Sequence, residues 1–150
     1  MTIPDPDVRK DFDQVAAFCY RPKNASIEIL LIKTNSGRWI FPKGGVENGE
    51  EAWQAAQREA FEEAGVTGTI AHEALTTFLH HKQGPKRTGV ELRVAVFPLL
   101  VKNAQRPQEK KRKPTWFSPQ EAEKALMEDR QLMYADEMKR VISLATAHLT

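Results

Sequence analysis

A single cysteine, Cys19, stands in 150 residues, so no disulfide can form within the chain. Its apolar setting, AAFCYR, reads as a buried thiol in a reducing compartment. No apolar run approaches the length that spans a bilayer. The first thirteen residues, MTIPDPDVRKDFD, are acidic and proline-bearing and hold no apolar signal segment. The expectation is a cytoplasmic protein with no membrane partner. Net charge is scarce as well, at +2, which by itself excludes neither cations nor polyanions as partners. Internal repeats and domain linkers are missing, so one domain over residues 1–150 with one core is expected. Hydrophobic residues make up 41% of the chain, which argues against wholesale disorder.

What the chain does have is an uneven distribution of charge. Glutamates crowd residues 47–63, where Arg58 is the only base. Lysines and arginines gather between Lys82 and Arg93 and again between Lys102 and Lys113. A cation site beside a polyanion site would produce such a pattern.

The apolar patterning gives the elements. QVAAFCY (14–20) and IEILLIK (27–33) read as strands around a polar turn, Arg21 to Ser26. Arg38 to Phe41 is extended, Pro42 stops it, and Gly44-Gly45 opens a loop. Asn48-Gly49 can start a helix over about 50–64, which Gly65 ends. Strands are expected near 68–73, 74–81 and 90–100, with Pro98 at an edge or bulge. His80 to Arg87 reads as a polar hairpin loop. Ser118-Pro119-Gln120-Glu121 has the form of an N-cap, a first-turn proline and a capping-box glutamate, opening a helix to about Met127. A last helix from about Arg130 carries an apolar stripe, Tyr134, Met138, Val141, Ile142 and Ala145. Strands on both sides of one central helix, with helices at the end, give a mixed α/β (α+β) sheet packed in layers.

The central helix carries the anomaly. With Glu59 set at zero, Glu63 lies about 40° to one side and Glu62 about 60° to the other. Ala52, Ala55 and Ala56 share that arc, the one that ought to face the sheet, while Glu50, Gln54 and Gln57 take the watery side. Carboxylates do not crowd an inward face without a cation or a proton to offset them. A hard divalent ion such as Mg²⁺ answers the problem with oxygen ligands. Arg58 can reach Glu62 one turn on, and Pro42-Lys43-Gly44-Gly45 lets backbone approach a phosphate. Such a site suits in-line attack of water on phosphorus.

The stretch GGVENGEEAWQAAQREAFEEAGV (44–66) resembles the Nudix box. Its fixed positions are filled by Gly44, Glu50, Arg58, Glu59, Glu62, Glu63, Gly65 and Val66, with a small Ala60 where a larger aliphatic is commoner. The resemblance implies a Nudix fold, a mixed sheet sandwiched between helices, and a metal-dependent pyrophosphohydrolase. It implies that Glu59, Glu62 and Glu63 bind metal and that Glu62, Arg58 and Glu59 serve catalysis, Arg58 by orienting a glutamate. Glu50 would brace the motif.

The flanks, from Gln14 to Leu126, resemble the diphosphoinositol polyphosphate phosphohydrolase branch, which also cuts diadenosine polyphosphates. Here Lys43 departs from that branch's all-glycine run. The expected substrate is therefore a small polyphosphorylated molecule, gripped by Arg38, Lys43, Gly44, Gly45, Lys86, Arg87 and Arg112. ADP-ribose, a nucleoside triphosphate or an RNA 5′-pyrophosphate are alternatives, as is a non-catalytic nucleotide-sensing module. No arginine-rich or aromatic platform compels an RNA partner. Monomer and homodimer both stay open. His80 and His81, a strand-end pair, read as structural or exposed, and Trp39 and Trp116 as packing or as a stacking surface.

Overall fold

The structure is a computed structural model that describes residues 11–83 and 89–150. The order along the chain is β1 (Gln14–Lys23), β2 (Ser26–Lys33), β3 (Trp39–Ile40), β4 (Lys43–Gly44), α1 (Ala52–Glu59), a π-helical turn (Ala60–Ala64), β5 (Val66–Ile70), β6 (Thr76–Gln83), β7 (Gly89–Ala104), β8 (Thr115–Phe117), α2 (Pro119–Met127) and α3 (Leu132–Leu149). β1 lies in the middle of the sheet, antiparallel to β2 and parallel to β7. Because β1 alternates, its buried residues serve two cores. Ala16 and Phe18 face α2 and α3, joined there by Ile29, Leu31, Phe41 and Phe78. Val15, Ala17 and Cys19 face α1, joined by Leu30, Ile32, Phe97 and Leu99. The mixed sheet between helices is the fold expected. Among the described residues no helix is long and apolar enough to cross a membrane.

Several boundaries depart from expectation for local reasons. β1 runs on through Arg21 to Lys23, and the turn contracts to Asn24-Ala25, with Asn24 in the left-handed region at φ 54°. Lys43-Gly44 is not purely loop: it pairs antiparallel with Val15 and Ala16 as β4. β8, which the sequence reading did not separate from its helix, pairs with β2. Pro98 sits in the central strand β7 rather than at an edge. Its neighbours on one side change there, β6 ending at Val96 and β5 beginning at Leu99, so the missing N–H falls in a gap between partners.

The helices at the end follow their signals. Ser118 caps α2, its Oγ accepting the Glu121 N–H at 3.2 Å while Glu121 accepts the Ser118 N–H at 2.9 Å. All five stripe residues of α3 are buried. α1 starts at Ala52, not at Asn48-Gly49, and Gln54 Oε1 closes its first turn on the Glu51 N–H at 2.8 Å. Gly65 ends the π turn at φ 72°, and a Cβ there would lie 2.1 Å from the Gln105 carbonyl oxygen.

Candidate active site

The chemistry-bearing residues stand on the sheet side of α1 and on the loops around it. The π turn changes their angular relation. Its wider turn rotates each residue by less than a regular helix does, so Glu63 swings back over Glu59 and Glu62 swings further aside. Burial agrees. Glu59 is 9% and Glu63 6% exposed, whereas the Glu62 side chain is 32% open. The uniform 100° wheel therefore overstates the grouping of all three. Glu59 and Glu63 form the pair, and Glu62 stands at its margin.

The pair is held from below by backbone. Glu63 Oε1 accepts the Lys43 N–H at 3.0 Å. Glu59 lies against Gly44, where an added Cβ would come within 2.5 Å of its carboxyl carbon. A side chain at 44 would therefore displace the Glu59 carboxyl from its place. Burial first, and then the charge of Glu59, raises the Glu63 pKa well above the ordinary range. Burial raises Glu59 too, against the opposing pull of Arg58. The two titrate together and favour sharing a positive charge.

Arg58 binds the motif into one piece. Its Nε donates to Glu50 Oε2 at 2.8 Å and its Nη2 to Glu50 Oε1 at 3.1 Å, a two-pronged pair. Nη2 also donates to the Gly45 carbonyl at 3.0 Å. Nη1 reaches Glu59 at 2.6 Å and Glu62 at 3.4 Å. Glu50 is therefore turned inward to the arginine and not left on the watery face. Among the described residues no three acidic, histidine or cysteine side chains converge as a ready-made metal cage. The carboxylates are instead matched with arginines, Glu59 and Glu62 with Arg58 and Glu63 with Arg112 at 3.3 Å.

Beside Glu63 opens a cleft of about 490 Å³, lined by Arg38, Lys43, Lys82, Arg112 and His80 among others. Four cations with one wall carboxylate attract a multiply charged anion. Lys43 is tethered by Gln14, whose Oε1 accepts from Nζ at 2.9 Å. Burial lowers the Lys43 pKa to about 8 despite Glu63 nearby. Arg112 is anchored by Glu109 at 2.8 Å and donates to the Lys33 carbonyl at 3.3 Å. Gly44 and Gly45, expected to grip substrate, do not line this cleft, and the Gly45 carbonyl is taken by Arg58. Lys86 and Arg87 lie outside the described residues, and Lys110, Lys111 and Lys113 are exposed.

A smaller chamber of about 180 Å³ adjoins the cleft through two shared wall residues, Arg38 and His80. Arg130, which the sequence reading passed over, lines it. Nothing local marks Arg130; only folding brings it to Arg38, far away in the chain. Arg130 donates to the carbonyls of Leu126 and Trp39, and burial together with Arg38 pushes its pKa down to about 10. Among the described residues Arg38 Nε is buried without a partner, and Nη1 makes only a 3.4 Å contact to the Asp129 carbonyl. Buried guanidinium N–H groups left unpaired are costly, and an anion would satisfy them.

His80 is buried, as one reading of it expected. Burial, then Lys43, Arg130 and Arg38, lowers its pKa to about 3. A base whose folded pKa is depressed contributes stability above its unfolded value, about 6.5, and loses it as pH falls toward the folded one. Between pH 6.5 and 3 the parent should therefore lose stability more steeply than His80→Asn; parallel urea midpoints across that window would contradict this. Trp39 packs edge-on against Phe117, centroids 5.0 Å apart, and Trp116 lies under the Arg21 guanidinium at 3.9 Å. Both indoles are thereby engaged within the fold. Burial also raises the Cys19 thiol pKa far above its ordinary value, which leaves it inert.

The sequence matches the family model of the NUDIX domain over residues 12–136. It is 34% identical over 119 residues to human (Homo sapiens) diphosphoinositol polyphosphate phosphohydrolase 3-alpha, covering 75% of this chain and 68% of that one. It is 35% identical over 103 residues to Nudix hydrolase 17, mitochondrial, of Arabidopsis thaliana, covering 66% of this chain and 54% of that protein. The chain thus spans about half the length of this plant relative. In three dimensions it is similar to a C. elegans Ap4A hydrolase binary complex, with a TM-score of 0.66 and 24% identity over 93% of this chain and 98% of that one. At that identity the likeness is one of fold.

Proposed function

Since the chain belongs to the Nudix family, we propose that it is a divalent-metal-dependent pyrophosphohydrolase whose substrate is a small, highly phosphorylated molecule. The observation that carries this reading is the buried Glu59–Glu63 pair, whose Glu63 lines a cleft together with Arg38, Lys43, Lys82 and Arg112.

The residues fit a hard cation. The donors are carboxylate oxygens, Gly44 leaves space for Glu59, and two neighbouring buried carboxylates need positive charge between them. Glu59 and Glu63 would hold Mg²⁺ or Mn²⁺, with Glu62 at the margin, and the ion would neutralise charge on the phosphoryl group under attack. The chain's own residues do the rest. Lys43, Lys82 and Arg112 bind the phosphates that are not cleaved. Arg58 fixes the rotamers of Glu59 and Glu62. Glu62, the most open of the three, accepts the proton of the attacking water as the new O–P bond forms. The anhydride P–O bond breaks, and the departing phosphate carries the electron pair.

The relatives' names support a narrower reading of the substrate class. A diphosphoinositol polyphosphate or a diadenosine polyphosphate each presents phosphates beyond the scissile bond. The chamber at Arg38 and Arg130 supports such a substrate, because a second anionic group can reach both guanidinium groups. Arg130→Gln should raise KM for the preferred polyphosphate by roughly 10-fold with kcat within about twofold. A fall in kcat at constant KM would remove Arg130 from the binding residues.

The deciding experiment is a panel assay with Mg²⁺ or Mn²⁺. It covers diadenosine polyphosphates, diphosphoinositol polyphosphates, ADP-ribose, nucleoside triphosphates and 5′-triphosphorylated RNA. Turnover of the first two classes above the rest is the expected result. Hydrolysis confined to ADP-ribose or RNA would reassign the substrate, and no turnover of any would favour a sensing module.

A further inference from the structure

Arg112 holds two carboxylates at once, unequally. Its Nε and Nη2 both lie 2.8 Å from Glu109 Oε1, while Nη2 lies 3.3 Å from Glu63 Oε2. Its backbone is fixed, the Arg112 carbonyl accepting the Lys33 N–H at 2.6 Å. The guanidinium also lines the cleft that the substrate phosphates would enter. Glu63 is the same carboxylate that, on the metal-dependent reading above, a divalent ion requires. A guanidinium and a divalent cation repel each other, so each weakens the other's hold on the Glu63 carboxylate.

We propose that Arg112 is a competing counter-ion of Glu63, and that Glu109 is the positioning residue that draws it aside. With a divalent ion on Glu63, the Arg112 guanidinium would lose its hold on that carboxylate. Glu109 keeps it at the cleft wall, where its freed N–H groups meet substrate phosphate. Metal binding and phosphate binding are thereby coupled, the ion preparing the arginine for the anion.

The test is Mn²⁺ affinity of the substrate-free full chain, read by electron paramagnetic resonance of the free ion. Arg112→Gln removes the competitor and tightens Mn²⁺ binding roughly fivefold. Glu109→Gln leaves Glu63 as the one full carboxylate partner of the guanidinium and weakens Mn²⁺ binding. The double variant follows Arg112→Gln, because Glu109 acts through the arginine. Inorganic tripolyphosphate, titrated calorimetrically with saturating Mn²⁺, binds more weakly to Arg112→Gln. A purely structural role would shift both single variants in one direction. Unchanged or looser Mn²⁺ binding in Arg112→Gln, with the parent binding normally and circular dichroism intact, overturns the competition. A parent that binds no Mn²⁺ at millimolar concentration overturns the metal-dependent reading and this inference with it.

Discussion

Glu63→Gln is expected to lower kcat by roughly 10³-fold while the chain stays folded. Glutamine keeps the shape and can still accept the Lys43 N–H, so the β4 end of the site keeps its main-chain anchor. What is lost is the charge. A buried carboxylate beside Glu59 is unfavourable unless a cation rewards it, so its removal also relieves repulsion within the pair. In chelator the variant should melt within a few degrees of the parent, whereas with saturating Mg²⁺ the parent should gain more stability. Turnover within 10-fold of the parent, at any divalent concentration, would mean that the reaction does not use this pair. The same substitution at Glu62 should act through kcat alone and less on metal affinity, because Glu62 stands aside from the pair with its side chain 32% open.

Arg58→Ala should damage both fold and activity. The guanidinium is the shared partner of Glu50, Glu59, Glu62 and the Gly45 carbonyl, and its side chain is only 22% exposed. Removing one member of a mostly buried ion network strands the others, at about 2–4 kcal/mol. In a chain of this length that lowers Tm by roughly 10 °C. Activity should fall by roughly 10²-fold or more, because the loop at Gly45 and the carboxylates lose their common brace. Arg58→Lys should fall between, keeping charge without the two-pronged grip on Glu50. Added Mg²⁺ should restore more stability to Arg58→Ala than to the parent, since the stranded carboxylates gain a new counter-charge. A thermal midpoint and a kcat both near the parent's would contradict this.

What could be read from the chain was whatever depends on neighbours in sequence. The Ser118 cap, the α3 stripe and the end of the central helix at Gly65 rest on signals within a few residues. The burial of Glu59 and Glu63 followed from their spacing on an inward face. The angular error at Glu62 has one cause, the π turn over Ala60–Ala64, for which periodicity holds no marker. Arg130, Glu109 and Gln14 were missed for a different reason. Each gains its contacts only when a distant segment folds against it: Arg130 against Arg38, Glu109 beside the Arg112–Glu63 contact, and Gln14 against Lys43. Pro98 was misplaced because strand position depends on which partners arrive on either side. A proline is tolerated wherever two partners leave a gap between them.

The segment that follows β7 is fastened to the end of the π turn by its main chain. Gln105 donates its N–H to the Gly65 carbonyl at 2.8 Å, and Glu109 donates its own to the Glu62 carbonyl at 3.2 Å. Backbone donors are common to every amino acid but proline. Apart from Glu109 and Arg112, whose side chains engage the site, the side chains of residues 106–113 can therefore change without unpicking these stitches. Substitutions at the exposed positions there would leave the acidic helix in register, because these ties to the segment are made by main chain.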